Sequence, residues 1–275
     1  MIARALRILF LRGPAALAYA VRLRLQGIVK RRAKSFHGCL PSLEGRSGME
    51  IGGPSPAFSG RGLFPVYPVV ASLDNCNFAD ITVWQGAIKK SRHYRFDRNR
   101  PPGNQYVSEA TDMRQFANDA FDFLLASHVL EHVANPVRAL MEWQRIVRED
   151  GLIVLILPDR RHTFDHRRPV TTMDHLLNDY QSNMGEDDLT HLPEIIALHD
   201  LDRDPEAGDA EAFLQRSREN LVHRCLHHHV FDPDLLCRLI QQIGMSVVAV
   251  ETMPPYHILA IARKITRPAR SEAAF

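Results

Sequence analysis

Histidines and arginines crowd two short stretches of this chain. His128 and His132 stand four residues apart just after an apolar run, FDFLLAS, and His162 and His166 repeat that interval after a second one, LIVLILP. An imidazole titrates near neutrality, so a histidine beside a hydroxyl can take its proton as that oxygen attacks an electrophile. His162 is the first candidate for such a base and His128 the second. Arg160, Arg161, Arg167 and Arg168 are interleaved with His162 and His166. Forked guanidiniums suit carboxylate or phosphate, which makes Arg160, Arg161, His166, Arg167 and Arg168 candidate contacts to an anionic substrate.

The elements that must position these groups are legible around them. Phe121 to Ala126 and Leu152 to Leu157 have the length and apolar content of buried strands. Between them Asn135 suits an N-cap and Pro136 the first helical position. Val137, Leu140, Met141, Gln144 and Val147 follow helical spacing, and Gly151 can take the left-handed conformation that ends a helix. Two apolar strands joined by a helical crossover predict a parallel pair covered on both faces. Ligands of such sheets bind beyond the C-terminal strand ends, which draws attention to Ser127, His128 and the residues after Pro158.

SHVLEHV at Ser127 to Val133, the helix bearing Arg145, and the Gly151 turn into LIVLILP resemble the class I methyltransferases that use S-adenosylmethionine, in particular a bacterial family with a VLEHV motif. The resemblance implies an α/β fold, an open, doubly wound, mostly parallel seven-stranded Rossmann-like sheet, with S-adenosyl-L-methionine as cofactor. It implies a cofactor turn at GMEIGGPSP through Glu50, Gly52 and Gly53, although Pro54 and Pro56 stand where the family has glycines. Prolines there remove donors and stiffen the loop. A short helix is expected within GRGLFPVYPVVAS. Asp74 then falls 24 residues after Glu50, near the roughly 20 at which an acid commonly meets a ribose. Asp74 with Asn75 is also a common turn pair. At the exit of QYVSEATDM the resemblance gives Asp112 the adenine amino group and Met113 the ring, while a capping role is the plain alternative for Asp112. Ser127 and His128 complete the cofactor set.

Length and composition suit one α/β domain with insertions: 275 residues, 45% hydrophobic and 24% charged. Cys39, Cys76, Cys225 and Cys237 form no CxxC pair and read as reduced thiols of a cytoplasmic protein. The net charge of +2 conceals an asymmetry, because residues 1–34 carry nine Lys and Arg before the first acid, Glu44, and the remainder holds 25 basic against 32 acidic side chains. The expected organisation is a basic amphipathic helical arm over 1–44, a domain over 45–264 with insertions at about 78–103 and 160–224, and a tail over 265–275. The arm, broken at Gly13 and Pro14, either lies on an anionic membrane surface as a peripheral contact through residues 1–34 or packs as a cap with snorkelling arginines. No run approaches the roughly 18 apolar residues of a membrane span. An acidic body and an arm poor in aromatics argue against nucleic acid.

Fourteen histidines raise the question of a metal. His227, His228 and His229 are consecutive, so in an extended segment their rings alternate sides, and no HExxH or HxxxH on a helix accompanies them. No metal centre is therefore expected, and a metal-dependent hydrolase built on that run is the weakest reading. The expected function is methyl transfer from S-adenosylmethionine to an oxygen of a sugar or glycan intermediate, a small-molecule or glycan acceptor of anionic character. A methyltransferase-like scaffold at a membrane surface, without chemistry, is the alternative. Trp84, His93 and Tyr94 are the side chains that the first insertion could offer.

Overall fold

A computed structural model describes residues 9–10, 13–14, 16–22, 31–82, 86–87, 91–204 and 206–265. Its strands in chain order are β1 (Ser47–Ile51), β2 (Ser72–Asn77), β3 (Ile81–Thr82), β4 (Gly86–Ala87), β5 (Ser91–Tyr94), β6 (Gly103–Val107), β7 (Phe121–Ser127), β8 (Val147–Pro158), β9 (Met245–Met253) and β10 (His257–Lys264). Eight of them form one sheet in the order β5-β6-β2-β1-β7-β8-β10-β9, and β3 and β4 make a small separate hairpin. The pairs from β6 through β2, β1 and β7 to β8 are parallel. β10 is antiparallel to both β8 and β9, and β5 is antiparallel to β6. The sheet thus exceeds the expected seven strands by β5, an edge strand contributed by the first insertion.

Side-chain alternation distributes the core. In β8, Ile153, Leu155 and Leu157 face one layer while Leu152, Val154 and Ile156 face the other, and Leu124 and Ala126 alternate with Phe123 and Leu125 in β7 in the same way. Both strands are therefore buried on both faces, as parallel strands at a sheet centre must be. The first layer is helical, built from Pro136–Ile146 and Pro233–Gln242. The second is largely irregular, with Phe36, Leu43, Phe58, Phe64, Tyr67 and Val70 supplying its bulk.

The central helix starts as its sequence indicates, with the Asn135 side chain accepting from Arg138 N at 3.1 Å and Pro136 in the first turn. Its buried stripe is Val137, Ala139, Leu140, Trp143 and Ile146, whereas Met141 is 43% exposed and Gln144 only half-buried. The apolar stripe is thus displaced by about one residue from the predicted one, because Trp143 turns inward and donates its indole N–H to Ala110 O at 3.0 Å. Gly151 is not a helix cap. The helix ends at Ile146, the left-handed residue is Asp150 at φ 62°, and Gly151 lies within β8, where a Cβ would stand 2.5 Å from Asp122 O.

The crossover from β1 to β2 contradicts the expectation of a helix over Gly60–Ser72. Only a 3-10 turn forms, Pro56–Phe58, and the rest is irregular. Pro54, Pro56, Pro65 and Pro68 lack the N–H groups a helix needs, and the segment instead buries Phe64, Val66, Tyr67 and Val70 against the sheet. Near the end of the chain Asp232 accepts from Leu235 N at 2.8 Å to cap Pro233–Gln242, Gly244 closes it at φ 80°, and β9 and β10 pair as an antiparallel hairpin.

The second insertion supplies helices Met173–Gln181, Leu192–Leu198, Ala210–Arg218 and Asn220–His223 around a small core of Ile195, Ala207, Phe213 and Leu226. In the arm, residues 16–22 are helical with Ala16 buried, while Ile2 and Leu6 lie outside the described residues, as does Trp84. No described helix is long and apolar enough to cross a membrane.

Candidate active site

A cleft of about 1160 Å³ opens beyond the C-terminal ends of the parallel strands. Its floor takes Ile51 and Gly52 after β1, Asn77 and Phe78 from β2, Ser108 to Ala110 after β6, and Ser127 to Val129 after β7. The wall opposite comes from the inserted cap, through His162, Phe164, Asp204, Arg216 and His227, and from the β9–β10 turn, through Tyr256 and His257. Leu17, Tyr19 and Ala20 of the arm close one side. The Tyr19 hydroxyl donates to the His162 carbonyl, and Arg203 stacks over the Tyr19 ring at 5.2 Å.

The turn after β1 is braced from behind. Asn75 accepts from Gly53 N at 2.9 Å and donates to Gly53 O at 3.1 Å, and a Cβ on Gly53 would stand 2.2 Å from Glu50 Cδ. Only glycine fits there. Glu50 is fully buried and accepts from Ser55 N at 3.0 Å, from the Tyr67 hydroxyl at 2.9 Å and from Tyr94. Burial raises its carboxyl to about 7 despite those donors. Ser55 also donates to Ser127 Oγ at 3.0 Å, linking the ends of β1 and β7. Glu50 and Gly53 therefore shape the turn, and of the expected residues Gly52, Ser127 and His128 line the cleft.

Three expected cofactor contacts lie elsewhere. β2 continues three residues past Asp74, whose carboxylate accepts from Asn104 N at 2.8 Å inside the sheet edge, so the strand end belongs to Asn77 and Phe78. Asp112 pairs with exposed Arg114 at 2.5 Å, and the acid after β6 that reaches the cleft is Glu109. Met113 is wholly buried in the core.

The expected substrate arginines are likewise engaged outside the cleft lining. Arg160 donates to the His166 and Arg168 carbonyls, Arg161 pairs with Asp159 at 2.6 Å, and Arg167 and His166 both meet Asp200, at 3.4 and 2.8 Å. Arg168 is 1% exposed, bound to Asp165, Glu194 and the carbonyls of His227 and His228. Charge patterning placed these residues near a strand end correctly, but they are taken up by protein partners from Asp159 to the His228 carbonyl, most of which no local pattern reveals. Arg61, Arg203, Arg216 and Arg224 line the cleft instead.

Among the histidines, His162 is exposed in the cleft wall. His128 adopts φ 54°, with Nε2 3.0 Å from His257 Nδ1 and Nδ1 3.4 Å from Glu131 Oε1. The pair that sequence reasoning missed is His227 and Asp165. His227 Nδ1 donates to Asp165 Oδ2 at 2.5 Å, and Arg168 donates to the other oxygen at 3.0 Å. Burial opposes charge on His227, but Asp165 outweighs it and holds the imidazole pKa above its usual value. Asp165 is correspondingly lowered to about 2, its burial overcome by His227 and Arg168. Its neighbour His132, 4.6 Å away between ring centres, is pushed by burial down to about 4. An imidazole with one nitrogen anchored on a buried carboxylate and its ring on a cleft is built for proton transfer.

Residues 60–155 match a family described as Methyltransferase domain. That stretch is similar to methyltransferase domains. The fold around it is mixed α/β with a mostly parallel sheet. Among solved structures, an S-adenosylmethionine-dependent methyltransferase of Methanosarcina mazei overlays 86% of this chain and all of its own, at 14% identity and a TM-score of 0.44. One from Aquifex aeolicus overlays 95% of this chain and 98% of its own, at 11% identity and a TM-score of 0.43. No curated protein matches the chain.

The cleft offers several kinds of contact. The closely approached glycine turn, the Phe78 ring and Glu109 furnish backbone, aromatic and acidic contacts at one end. Arg224 joins them, stacked over Phe78 at 5.1 Å and paired with Glu109 at 2.6 Å and Glu186 at 3.0 Å.

Proposed function

We propose that the protein methylates a hydroxyl oxygen of a sugar or glycan intermediate, with His227 as the base. The observation that carries this reading is the His227–Asp165 pair on the cap wall of the cleft. Bound S-adenosylmethionine supplies an electrophilic methyl group on a sulfonium. Gly52, Asn77, Phe78, Glu109 and Ser127 hold it on the sheet side, and the cap side receives the acceptor. Asp165 fixes His227 with Nδ1 as donor, so Nε2 is the nitrogen that takes the hydroxyl proton. Arg203 and Arg216 put guanidiniums on that side, beside Asp204 and Glu206, which suits an acceptor with both hydroxyl and acidic groups such as a sugar acid or sugar phosphate. Alignment of the two reactants in one cleft provides much of the rate, and the base adds to it.

The test is release of S-adenosylhomocysteine and methylated product with a panel of sugar phosphates, sugar acids and neutral glycans. His227→Gln should lower kcat by about 10²- to 10⁴-fold, the usual weight of a general base, with cofactor affinity unchanged. His162→Ala should retain turnover. A fully active His227→Gln variant would remove the base. Absence of any cofactor binding by calorimetry at high micromolar ligand would favour a scaffold without chemistry.

A further inference from the structure

We propose that His175, Asp179, His191 and His229 form a binding site for a divalent cation of the Zn²⁺ class, which clamps the inserted cap to the sheet. None of the four lines the cleft. One donor atom from each lies within 4.8 Å of the others. A tetrahedral ion with bonds of about 2.0–2.1 Å holds its donors roughly 3.3 Å apart. His175 Nε2 lies 3.2 Å from both His191 Nε2 and Asp179 Oδ2. His229 completes the group, with Nε2 3.6 Å from Asp179 Oδ2.

The second observation is unmet polarity. Asp179 is 5% exposed and His229 1% exposed, yet Asp179 Oδ2 and His229 Nδ1 have no hydrogen-bond partner among the described residues. A buried carboxylate oxygen in that condition is costly, and a cation beside it answers that cost. His229 Nε2 is the nitrogen turned toward the group, and it also stands 3.1 Å from the Ala134 carbonyl.

The arrangement explains how the cap is held. His175 and Asp179 lie one turn apart on helix Met173–Gln181, His191 precedes helix Leu192–Leu198, and His229 belongs to the segment whose backbone meets Glu131 after β7. The cap's own core is small, so a metal linking two of its segments to the chain beyond it adds a tie that packing does not supply. The expectation of no metal rested on the consecutive histidines. It overlooked His175 and Asp179 at i and i+4 on a helix, which only one of those histidines joins.

Untagged full-length protein, stripped with a chelator and reloaded with Co²⁺, should bind about one equivalent, with the visible bands of a four-coordinate nitrogen–oxygen site and no thiolate charge transfer. Zn²⁺ should displace the cobalt and raise the Tm. Asp179→Asn combined with His191→Ala should abolish the bands, whereas His227→Gln should keep them, which separates this site from the Glu131, His132 and His227 group beside the cleft. Should the double variant fail to fold, zinc-edge absorption of the wild type decides, since three imidazoles and a carboxylate are expected in the shell. Binding far below one equivalent, a sulfur shell, or loss of the bands with His227→Gln would overturn the proposal.

Discussion

A carboxylate raised to about 7 leaves a signature in stability. Between pH 4.5, the ordinary value for Glu50, and about 7, the folded protein keeps a proton the unfolded chain has released. Stability contributed by that proton is therefore present below this window and lost as pH rises through it. Urea unfolding at several pH values should show the Glu50→Gln variant gaining on wild type from pH 4.5 to 7; a constant difference would mean the carboxyl titrates normally. At the active site the corresponding shift is on His227, raised by Asp165, so the acidic limb of the kcat profile should lie above the ordinary imidazole value of 6.5 and move down in Asp165→Asn. Single residues were the least legible level of this chain. Glu50, Asp74 and Asp112 were read as a series of strand-end acids, yet Glu50 is buried beneath its turn, Asp74 sits mid-strand against Asn104, and Asp112 faces Arg114. A strand three residues longer than its apolar run suffices to move the end from Asp74 to Asn77. Asn75, which clamps Gly53 through both its amide atoms, had no local signal at all.

Elements were legible where every local cue agreed and illegible where distant partners decide. β7, its helix and β8 combine an N-cap, a proline in the first turn and apolar periodicity, and they form as read. The β1–β2 crossover depends on Ala33 N bonding Leu63 O at 2.9 Å, on Tyr67 reaching Glu50, and on Gly45 N bonding Val69 O at 2.9 Å, and none of these has a sequence period. The helix should rest chiefly on its tryptophan. Trp143→Ala, which empties a fully buried site and leaves Ala110 O without its donor, is expected to cost about 3–5 kcal/mol in denaturant unfolding. A loss below about 1 kcal/mol would show that Leu140 and Ile146 hold the helix without it. Met141→Ala on the exposed side of the same helix serves as the control and should be near neutral.

For the molecule as a whole, the class of fold was readable because it depends on the order of strands, whereas the arm and cap were not, because their faces are assigned by what they cover. Tyr19 reaches His162 and Arg203 across the cleft mouth, while Leu9 and Phe10 are 41% and 90% exposed. Removing residues 1–30 should therefore raise the acceptor KM through loss of the Tyr19 side of the cleft, with the fold retained, and equal KM values in steady-state assays would dismiss a role as a cover. Co-sedimentation of wild type and Phe10→Glu with anionic vesicles separately examines the outward face; a membrane contact through it predicts weaker sedimentation of the variant. The turn over Gly52–Ala57 has a different consequence. Two prolines, an asparagine clamp on Gly53 and a tyrosine on Ser55 leave it few conformations to lose. A ligand docking there freezes little that was mobile, so the entropy of association should come from the ligand and its displaced water rather than from the chain. Amide exchange at Ser55 and Ala57 should accordingly be slow before the cofactor arrives and change little afterwards, where a glycine-rich turn would pass from fast to slow.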